Sequence, residues 1–168
     1  MTVPVGGSIS ITWTSLTRKV RREAFRCSLN LPPSEPFLVI NGDILTSLNF
    51  QHLIEFHQVK ESCATMAVYE HKIQVPYGVV EADGDRMVRI MEKPHHSFFV
   101  NAGIYVLNPE ILELIPKQGV MDMPSLFEEL LRSGRHSAVF TIRDHWLDIG
   151  HPQDLERAED RFEEMFRS

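Results

Sequence analysis

Short uninterrupted apolar runs mark the strands of a buried sheet in this chain. The first run, Phe37-Leu38-Val39-Ile40, leads directly into Asn41-Gly42-Asp43. An apolar run this short is typical of a strand buried on both faces, as in a sheet with helices packed on each side. In open α/β sheets the ligand crevice lies beyond the carboxyl ends of such strands, which makes Asp43 a candidate site residue. Asn-Gly-Asp also suits an ordinary turn, so this segment alone leaves both interpretations open.

Later segments predict the remaining elements by their spacing of apolar residues and by their capping residues. Further strands are predicted over Cys63 to Tyr69, Phe98 to Leu107 and Ala138 to Ile142, and the segment Trp146-Leu147-Asp148-Ile149-Gly150 follows them. Helices are predicted over about 48–59 with Ser47 as the cap, from Asn108-Pro109-Glu110, from the capping box Ser125-Leu126-Phe127-Glu128, and from about Pro152.

An Asp-Gly turn interrupts the series of predicted strands and helices. Residues 77–82 and 86–91 are β-rich and flank Asp83-Gly84-Asp85, a pattern that predicts a hairpin. Strands that alternate with helices are typical of an α/β sheet. The pattern therefore predicts an α/β fold with a β-hairpin insertion around 77–91.

Composition limits the classes of partner. The 168 residues suffice for one domain with a sizeable core, and the formal net charge is −6. That charge argues against a generic nucleic-acid binder or a binder of anionic membranes, because both need a basic surface. The chain also shows no apolar run of membrane-spanning length and no signal-peptide pattern, so we predict a cytoplasmic protein.

Residues 1–34 differ from the remainder of the chain. Five basic residues fall between Arg18 and Arg26, and a proline-rich connector, Leu31 to Pro36, follows them. The basic cluster suits either an anion-binding patch or a solvated face. We therefore predict an atypical leader, or a remnant of another half, over 1–34, and the main domain over 35–168.

Two aspartates are candidate metal ligands. Asp43 and Asp148 each follow an apolar strand-like segment and each adjoin a glycine. Mg²⁺ commonly takes one or two carboxylates and fills its remaining positions with water and substrate phosphates. Two strand ends that meet in one sheet would give such a pair.

Four further residues have both a ligand-binding and an ordinary interpretation. Lys93 could neutralise a phosphate and Glu92 could accept hydrogen bonds from hydroxyls, or both could be solvated loop residues. Asn101 lies in an apolar strand, where we expect a buried amide that bonds either neighbouring backbone or a ligand. Gly78 could allow close approach of a ligand, or simply ease the strand into its hairpin.

Five segments in this order resemble the sugar-1-phosphate nucleotidyltransferases, or nucleoside-diphosphate-sugar pyrophosphorylases, and especially those similar to mannose-1-phosphate guanylyltransferase. They are Phe37-Leu-Val-Ile-Asn-Gly-Asp43, Tyr77-Gly78-Val79-Val80, Met91-Glu92-Lys93-Pro94, Asn101-Ala102-Gly103-Ile104-Tyr105 and Trp146-Leu147-Asp148-Ile149-Gly150. The resemblance implies a Rossmann-like, mixed, mainly parallel sheet with flanking helices. It also implies a role in the biosynthesis of nucleotide sugars for polysaccharides.

The resemblance implies a Mg²⁺-dependent transfer of a nucleoside monophosphate from a nucleoside triphosphate to a sugar 1-phosphate, which releases pyrophosphate. Matched position by position, Asp43 and Asp148 would hold the metal and Lys93 would bind the sugar phosphate. Glu92, Asn101 and the backbone at Gly78 would hold the sugar. Such chemistry depends mostly on positioning and charge neutralisation.

One family motif is absent from the 168 residues. The glycine-rich loop Gly-Gly-x-Gly-Thr-Arg-Leu, which cradles the triphosphate in the family, has no match. We therefore expect a fold truncated on its amino-terminal side and activity that is impaired in this chain. The alternative is an inactive sugar-phosphate-binding or regulatory module that acts with a partner subunit. Exposed strand edges would then favour a homo-oligomer.

Overall fold

A computed structural model describes residues 35–116 and 120–150 in full, and residues 2–5, 9–14 and 19–20 by their backbone alone. In these ranges the strands are β1 Thr2–Val5, β2 Ile9–Thr14, β3 Lys19–Val20, β4 Phe37–Asn41, β5 Ile44–Thr46, β6 Ala64–Gln74, β7 Gly78–Asp83, β8 Arg86–Glu92, β9 His95–Leu107, β10 Met121–Asp122, β11 Ser137–Ile142 and β12 Trp146–Asp148. The helices are α1 Phe50–Val59, a 3₁₀ turn over Pro109–Glu113, and α2 Met123–Arg132.

A mixed six-stranded sheet in the order β1-β2-β4-β9-β6-β11 forms the centre of the described structure. Strand β4 is parallel to β2 and antiparallel to β9, and β6 is antiparallel to β9 and parallel to β11. Strands β2, β4, β6 and β11 therefore run in one direction, while β1 and β9 run in the other. The predicted mixed α/β sheet is confirmed: four of its six strands run in one direction, although three of its five neighbouring pairs are antiparallel.

The predicted hairpin is β7 and β8, which pair with each other and lie between β6 and β9 in the chain. Gly84 has a φ of +58° in the turn, a left-handed conformation that glycine adopts without a steric penalty. Two further ribbons are short: β5 pairs with β12, and β3 pairs with β10.

The first apolar run is buried on both faces, as its pattern predicts. Phe37 and Val39 pack toward α2, whereas Leu38 and Ile40 pack toward α1. All four side chains are at most 2% exposed. Each such burial stabilises the fold by about 1.5–3 kcal/mol. Because its side chains alternate between the two sides of the sheet, β4 belongs to both layers of the core.

Helix α1 begins two residues later than predicted because a different side chain caps it. Asn49, not Ser47, is the cap, and its Oδ1 accepts a hydrogen bond from the Gln51 amide at 3.0 Å. The Ser47 hydroxyl instead accepts from the backbone amide of His145 at 3.2 Å. The serine therefore serves a long-range contact and is unavailable to the helix.

The predicted capping box of α2 is also displaced. Asp122 is the cap, and its carboxylate accepts a hydrogen bond from the Ser125 amide at 2.8 Å. An acidic cap also interacts favourably with the positive end of the helix dipole. Ser125 thus lies inside the first turn and does not begin it.

Asn108 precedes a 3₁₀ turn and makes no side-chain capping bond there. Its carboxamide is bonded to His57 Nε2 at 3.1 Å and to the Ser62 carbonyl at 3.3 Å. The Thr65 hydroxyl lies 2.8 Å from His57 Nδ1 and 2.9 Å from the Ser62 hydroxyl, which closes a buried polar network. Burial lowers the pKa of His57 below its usual 6.5, and the hydrogen bond to Asn108 opposes that change.

The backbone of residues 2–5 and 9–14 lies in the same sheet as β4. The division of the chain at residue 34 stays a prediction. The side chains of the basic cluster and the helix predicted from Pro152 lie outside the described residues.

Candidate functional site

The β5/β12 ribbon places Asp43 and Asp148 beside each other. Asp43 lies in the turn between β4 and β5, and Asp148 pairs with Ile44 at the end of β12. The Ile149 amide donates a 2.7 Å hydrogen bond to the Asp43 carbonyl. Two residues that are 105 positions apart in sequence (148 − 43) thus occupy adjacent places in one ribbon.

Hydrogen bonds at the far end of the ribbon hold its two strands together. The His145 carbonyl accepts from the Ser47 amide at 3.2 Å and from the Thr46 hydroxyl at 2.7 Å. The Ser47 hydroxyl accepts from the His145 amide in return. These long-range bonds limit sliding of β12 against β5, and so limit displacement of the two carboxylates.

A cleft of about 240 Å³ lies at the carboxyl end of β4, with the ribbon, β9 and the first turn of α2 around it. Its walls are formed by Asn41, Asp43, Ile44, Asn101, Gly103, Tyr105, Met123, Pro124 and Asp148. The structure therefore brings together three of the predicted site residues, namely Asp43, Asn101 and Asp148.

One carboxylate oxygen of Asp148 is buried. Oδ1 has no hydrogen-bond partner among the residues described, and a side chain at Gly150 would come within 3.1 Å of it. An unpaired buried carboxylate oxygen is costly, so a cation is the natural complement to it. Asp43 is exposed beside it and offers a second carboxylate.

This donor set fits a hard divalent cation. No group of three or more His, Cys, Asp or Glu residues within 35–116 and 120–150 is arranged to hold a metal ion. Mg²⁺ does not need such a group, because it commonly binds through one or two carboxylates and takes water and phosphate oxygens as further ligands. The two aspartates at the cleft are therefore suited to Mg²⁺.

Asn101 is exposed, and the expectation of a buried amide is wrong. The buried part of β9 begins only at Ala102 and continues to Leu107, so Asn101 lies just outside the covered region. Its Oδ1 accepts a hydrogen bond from the Gly103 amide at 2.9 Å. This local bond orients the carboxamide at the cleft.

Gly78, Glu92 and Lys93 form a second group at the base of the hairpin, outside the walls of the cleft. Gly78 lies opposite Glu92, and a Cβ at Gly78 would approach Glu92 Oε2 to 3.0 Å. Lys93 has a φ of +46°, and its amide donates to the Tyr77 carbonyl at 3.3 Å. A left-handed lysine costs about 1–2 kcal/mol, and strain of this kind is frequent at ligand sites.

Several cleft residues were not predicted from the sequence. Asn41 is interpreted from the sequence only as part of the Asn-Gly-Asp turn. A polar residue at the carboxyl end of a buried strand is itself an indication of a ligand-binding residue. Tyr105 and Met123 resemble core residues and are at most 3% exposed, so only the fold shows that they also line the cleft.

No helix in the described part of the chain is long and apolar enough to cross a membrane.

Comparisons with known proteins give a consistent family. Residues 22–165 match the family model described as Nucleotidyl transferase. A Sulfolobus acidocaldarius protein, provisionally named a mannose-1-phosphate guanyltransferase, is 36% identical over 126 residues. The match covers 74% of this chain and 34% of that protein. Mannose-1-phosphate guanyltransferase beta-B of Xenopus laevis is 31% identical over 126 residues, which are 73% of this chain and 35% of that protein.

Among solved structures, HddC from Yersinia pseudotuberculosis is similar with a TM-score of 0.57 and 25% identity. The match covers 84% of this chain and 61% of HddC. The chain spans about a third of the length of the curated relatives that it matches.

Proposed function

Because this chain belongs to the nucleotidyl transferase family, we propose that its cleft serves the transfer of a nucleoside monophosphate from a nucleoside triphosphate to a sugar 1-phosphate. The products are a nucleoside-diphosphate sugar and pyrophosphate. The observation that carries the proposal is Asp148 Oδ1, which has no hydrogen-bond partner among the described residues and lies in a cleft that also contains Asp43. That arrangement suits a substrate that arrives with both phosphate and a cation.

Asp43 and Asp148 would hold Mg²⁺ in this proposal. The bound ion would neutralise the charge of the phosphate groups. Asp148 contributes a desolvated oxygen, which favours a cation strongly, and exposed Asp43 contributes a second carboxylate that needs little rearrangement.

The transfer itself requires no covalent intermediate on the protein. An oxygen of the sugar phosphate forms a bond to the α-phosphorus, while the bond from that phosphorus to the bridging oxygen breaks and its electron pair leaves with pyrophosphate. The chain contributes by holding the sugar phosphate in line with the α-phosphorus. Asn101 pairs with Val68 in the sheet and Asp148 pairs with Ile44 in the ribbon, so backbone pairing restrains the positions of both residues.

The sugar and its phosphate would contact both groups of predicted residues. Asn101 offers a carboxamide at the cleft, while Glu92 and the backbone at Gly78 lie at the base of the hairpin. Lys93 would bind the sugar phosphate as a compact positive charge, and its left-handed backbone supports a ligand-related role. The names of the relatives make mannose 1-phosphate and GTP the first pair to test.

We also propose a cytoplasmic location and self-association. Nucleoside triphosphates are cytoplasmic substrates, which supports the location. Exposed apolar residues on the hairpin support association between copies: Val80 is 49%, Met87 62% and Ile90 63% exposed. Sedimentation as a monomer at micromolar concentration would argue against self-association.

Pyrophosphate release tests the proposed function. The wild-type chain is incubated with Mg²⁺, with each of several triphosphates and with each of several sugar 1-phosphates, beside Asp43→Asn, Asp148→Asn and Asp144→Asn. Asp144 is an exposed aspartate of the same region outside the cleft, so its variant is a matched control. We expect the two cleft variants to lose at least about 100-fold of the wild-type rate, and the control to keep it.

Two other outcomes have different meanings. Sugar-phosphate binding without pyrophosphate release from any pair would favour the alternative of a binding module that acts with a partner. A chain that shows no sugar-phosphate binding and no pyrophosphate release would contradict the proposed function.

A further inference from the structure

Asn41 lies at the cleft wall, and no described residue hydrogen-bonds its side chain. Side chains alternate along β4, so Asn41 faces the same side as Phe37 and Val39. Its carboxamide is half-buried and has no hydrogen-bond partner within the fully described ranges. A partly buried amide with no partner among the described residues is available to bond a ligand.

Gly103 determines where this carboxamide lies. It has a φ of +72°, and a Cβ at this position would be 2.7 Å from Asn41 Nδ2 and 3.2 Å from Asn41 Cβ. The Asn41 side chain therefore packs directly on the glycine backbone. The Gly103 amide also bonds Asn101 Oδ1 at 2.9 Å, so one glycine positions both carboxamides of the cleft.

The chemistry of two carboxamides suits neutral hydroxyls. Each carboxamide has two N–H donors and an oxygen with two acceptor positions, of which Asn101 uses one for the Gly103 amide, and a hydroxyl can bond either kind of group. Pockets for drug-sized ligands measure about 300–1,000 Å³. At about 240 Å³ the described cleft is large enough for one monosaccharide unit.

From these observations we infer that Asn41 contacts the sugar and selects it by bonding one of its hydroxyl groups. The inference rests on the proposed function, since it concerns the sugar phosphate in the same cleft. Asn41 contacts Gly103 from the neighbouring strand β4, whereas Asn101 lies two residues before Gly103 on β9 itself. Because the two carboxamides come from different strands, each is assigned a different hydroxyl of the ring.

A deoxy-sugar series tests the inference. The parent is whichever of mannose, glucose and galactose 1-phosphate binds the wild-type chain most tightly in the presence of Mg²⁺. The monodeoxy analogues of that parent are then titrated by calorimetry against wild type, Asn41→Leu and Asn101→Leu. Leucine keeps the branch at Cγ and cannot hydrogen-bond, so the substitution removes the polar contact and retains the branched outline of the side chain.

We expect Asn41→Leu to weaken binding of the parent by about tenfold or more, which corresponds to about 1.4 kcal/mol. One analogue should bind Asn41→Leu and wild type equally, because it already lacks the hydroxyl in question. Asn101→Leu should behave in the same way toward a different analogue. Mg²⁺ affinity without sugar should be unchanged in Asn41→Leu.

Equal weakening for the parent and for every analogue would overturn the inference, because it would mean that Asn41 acts only through the shape of the cleft. If the wild-type chain binds none of the sugar phosphates, that result contradicts the proposed function, and the inference about Asn41 fails with it. If Asn41→Leu fails to fold, Asn41→Ala takes its place, since a smaller side chain cannot crowd Gly103.

Discussion

The indole N–H of Trp146 donates a hydrogen bond to the carbonyl oxygen of Ala102 at 2.8 Å. This bond joins the ribbon that carries Asp148 to the strand that carries Asn101. The Trp146 ring also stacks on Tyr69, with centroids 5.2 Å apart and planes inclined by 28°. The carboxylate side and the carboxamide side of the cleft are thus held at a defined separation.

Trp146→Phe should loosen that connection. It keeps an aromatic ring against Tyr69 but leaves the Ala102 carbonyl without its donor, so we expect the free energy of unfolding to fall by about 1–3 kcal/mol. Sugar-phosphate affinity should fall as well. Urea denaturation and calorimetry measure the two effects. Tyr69→Phe is the control because it keeps the stacked ring pair, and equal losses in both variants would argue against a role for the Trp146–Ala102 bond.

Gly103→Ala should destabilise the fold more than alanine at another left-handed glycine. At Gly134 φ is +67° and an added Cβ would meet no atom within 4 Å, whereas at Gly103 that Cβ would meet Asn41. We expect about 1–2 kcal/mol from the backbone at either site, and about 1–3 kcal/mol more at Gly103 from crowding. Thermal denaturation compares the two.

The double variant Gly103→Ala/Asn41→Ala separates these contributions. The double variant should regain the stability lost to crowding against Asn41 but not the stability lost to the left-handed backbone conformation, as in a double-mutant cycle. Equal destabilisation by Gly103→Ala and Gly134→Ala would show that Asn41 does not press on Gly103.

Acid should weaken the fold through His57. Burial lowers the pKa of His57 in the folded state, so the unfolded state takes up a proton first as pH falls below about 6.5. The loss of folding stability caused by His57 is absent above that pH, grows as the pH falls toward the folded-state pKa of His57, and then levels off. The slope reaches at most about 1.4 kcal/mol per pH unit.

Urea denaturation between pH 5 and 7.5 measures this dependence. His57→Gln should show a flatter profile than wild type, whereas His52→Gln, at an exposed position of the same helix, should keep the wild-type profile. Identical slopes in all three proteins would exclude His57 as the group responsible.

Asp148→Asn should separate stability from cation binding. The substitution removes a charge whose Oδ1 is buried without a described partner, so the metal-free protein should keep or gain stability. Mg²⁺ at a hundredfold excess over its dissociation constant should stabilise the wild-type chain by about 2.7 kcal/mol, and the variant hardly at all. Thermal denaturation with Mg²⁺ and with EDTA measures both. A variant that gains as much from Mg²⁺ as wild type would exclude Asp148 as a ligand.

Periodic apolar segments made much of this fold predictable. The run from Phe37 to Ile40 has no polar residue because helices cover both of its faces, and the Asp-Gly turn at 83–84 marks the hairpin by local chemistry alone. Capping was less predictable, since Ser47 and Asn108 have the right side chains for caps but are engaged by residues distant in sequence. Local sequence does not record such competition.

The cleft was predictable only in part. Asp43 and Asp148 stand out because a carboxylate follows an apolar segment, and the register of the ribbon then brings them together. Asn41 and Gly103 become a pair only through the β4–β9 register, and Met123 enters the wall through the packing of α2. Glu92 and Lys93 lie next to each other at the hairpin base. Their distance from Asp43 in sequence does not predict how far they lie from Asp43 in space.

The most direct test of a cation-dependent sugar-phosphate cleft is a calorimetric titration of mannose 1-phosphate into the wild-type chain with Mg²⁺ and with EDTA. The same titration is repeated on Asp148→Asn and on the control Asp144→Asn. We predict saturable binding to wild type and to the control that requires Mg²⁺, and a loss of at least about tenfold in Asp148→Asn. Binding that is equally tight with EDTA, or unchanged in Asp148→Asn, would contradict the account.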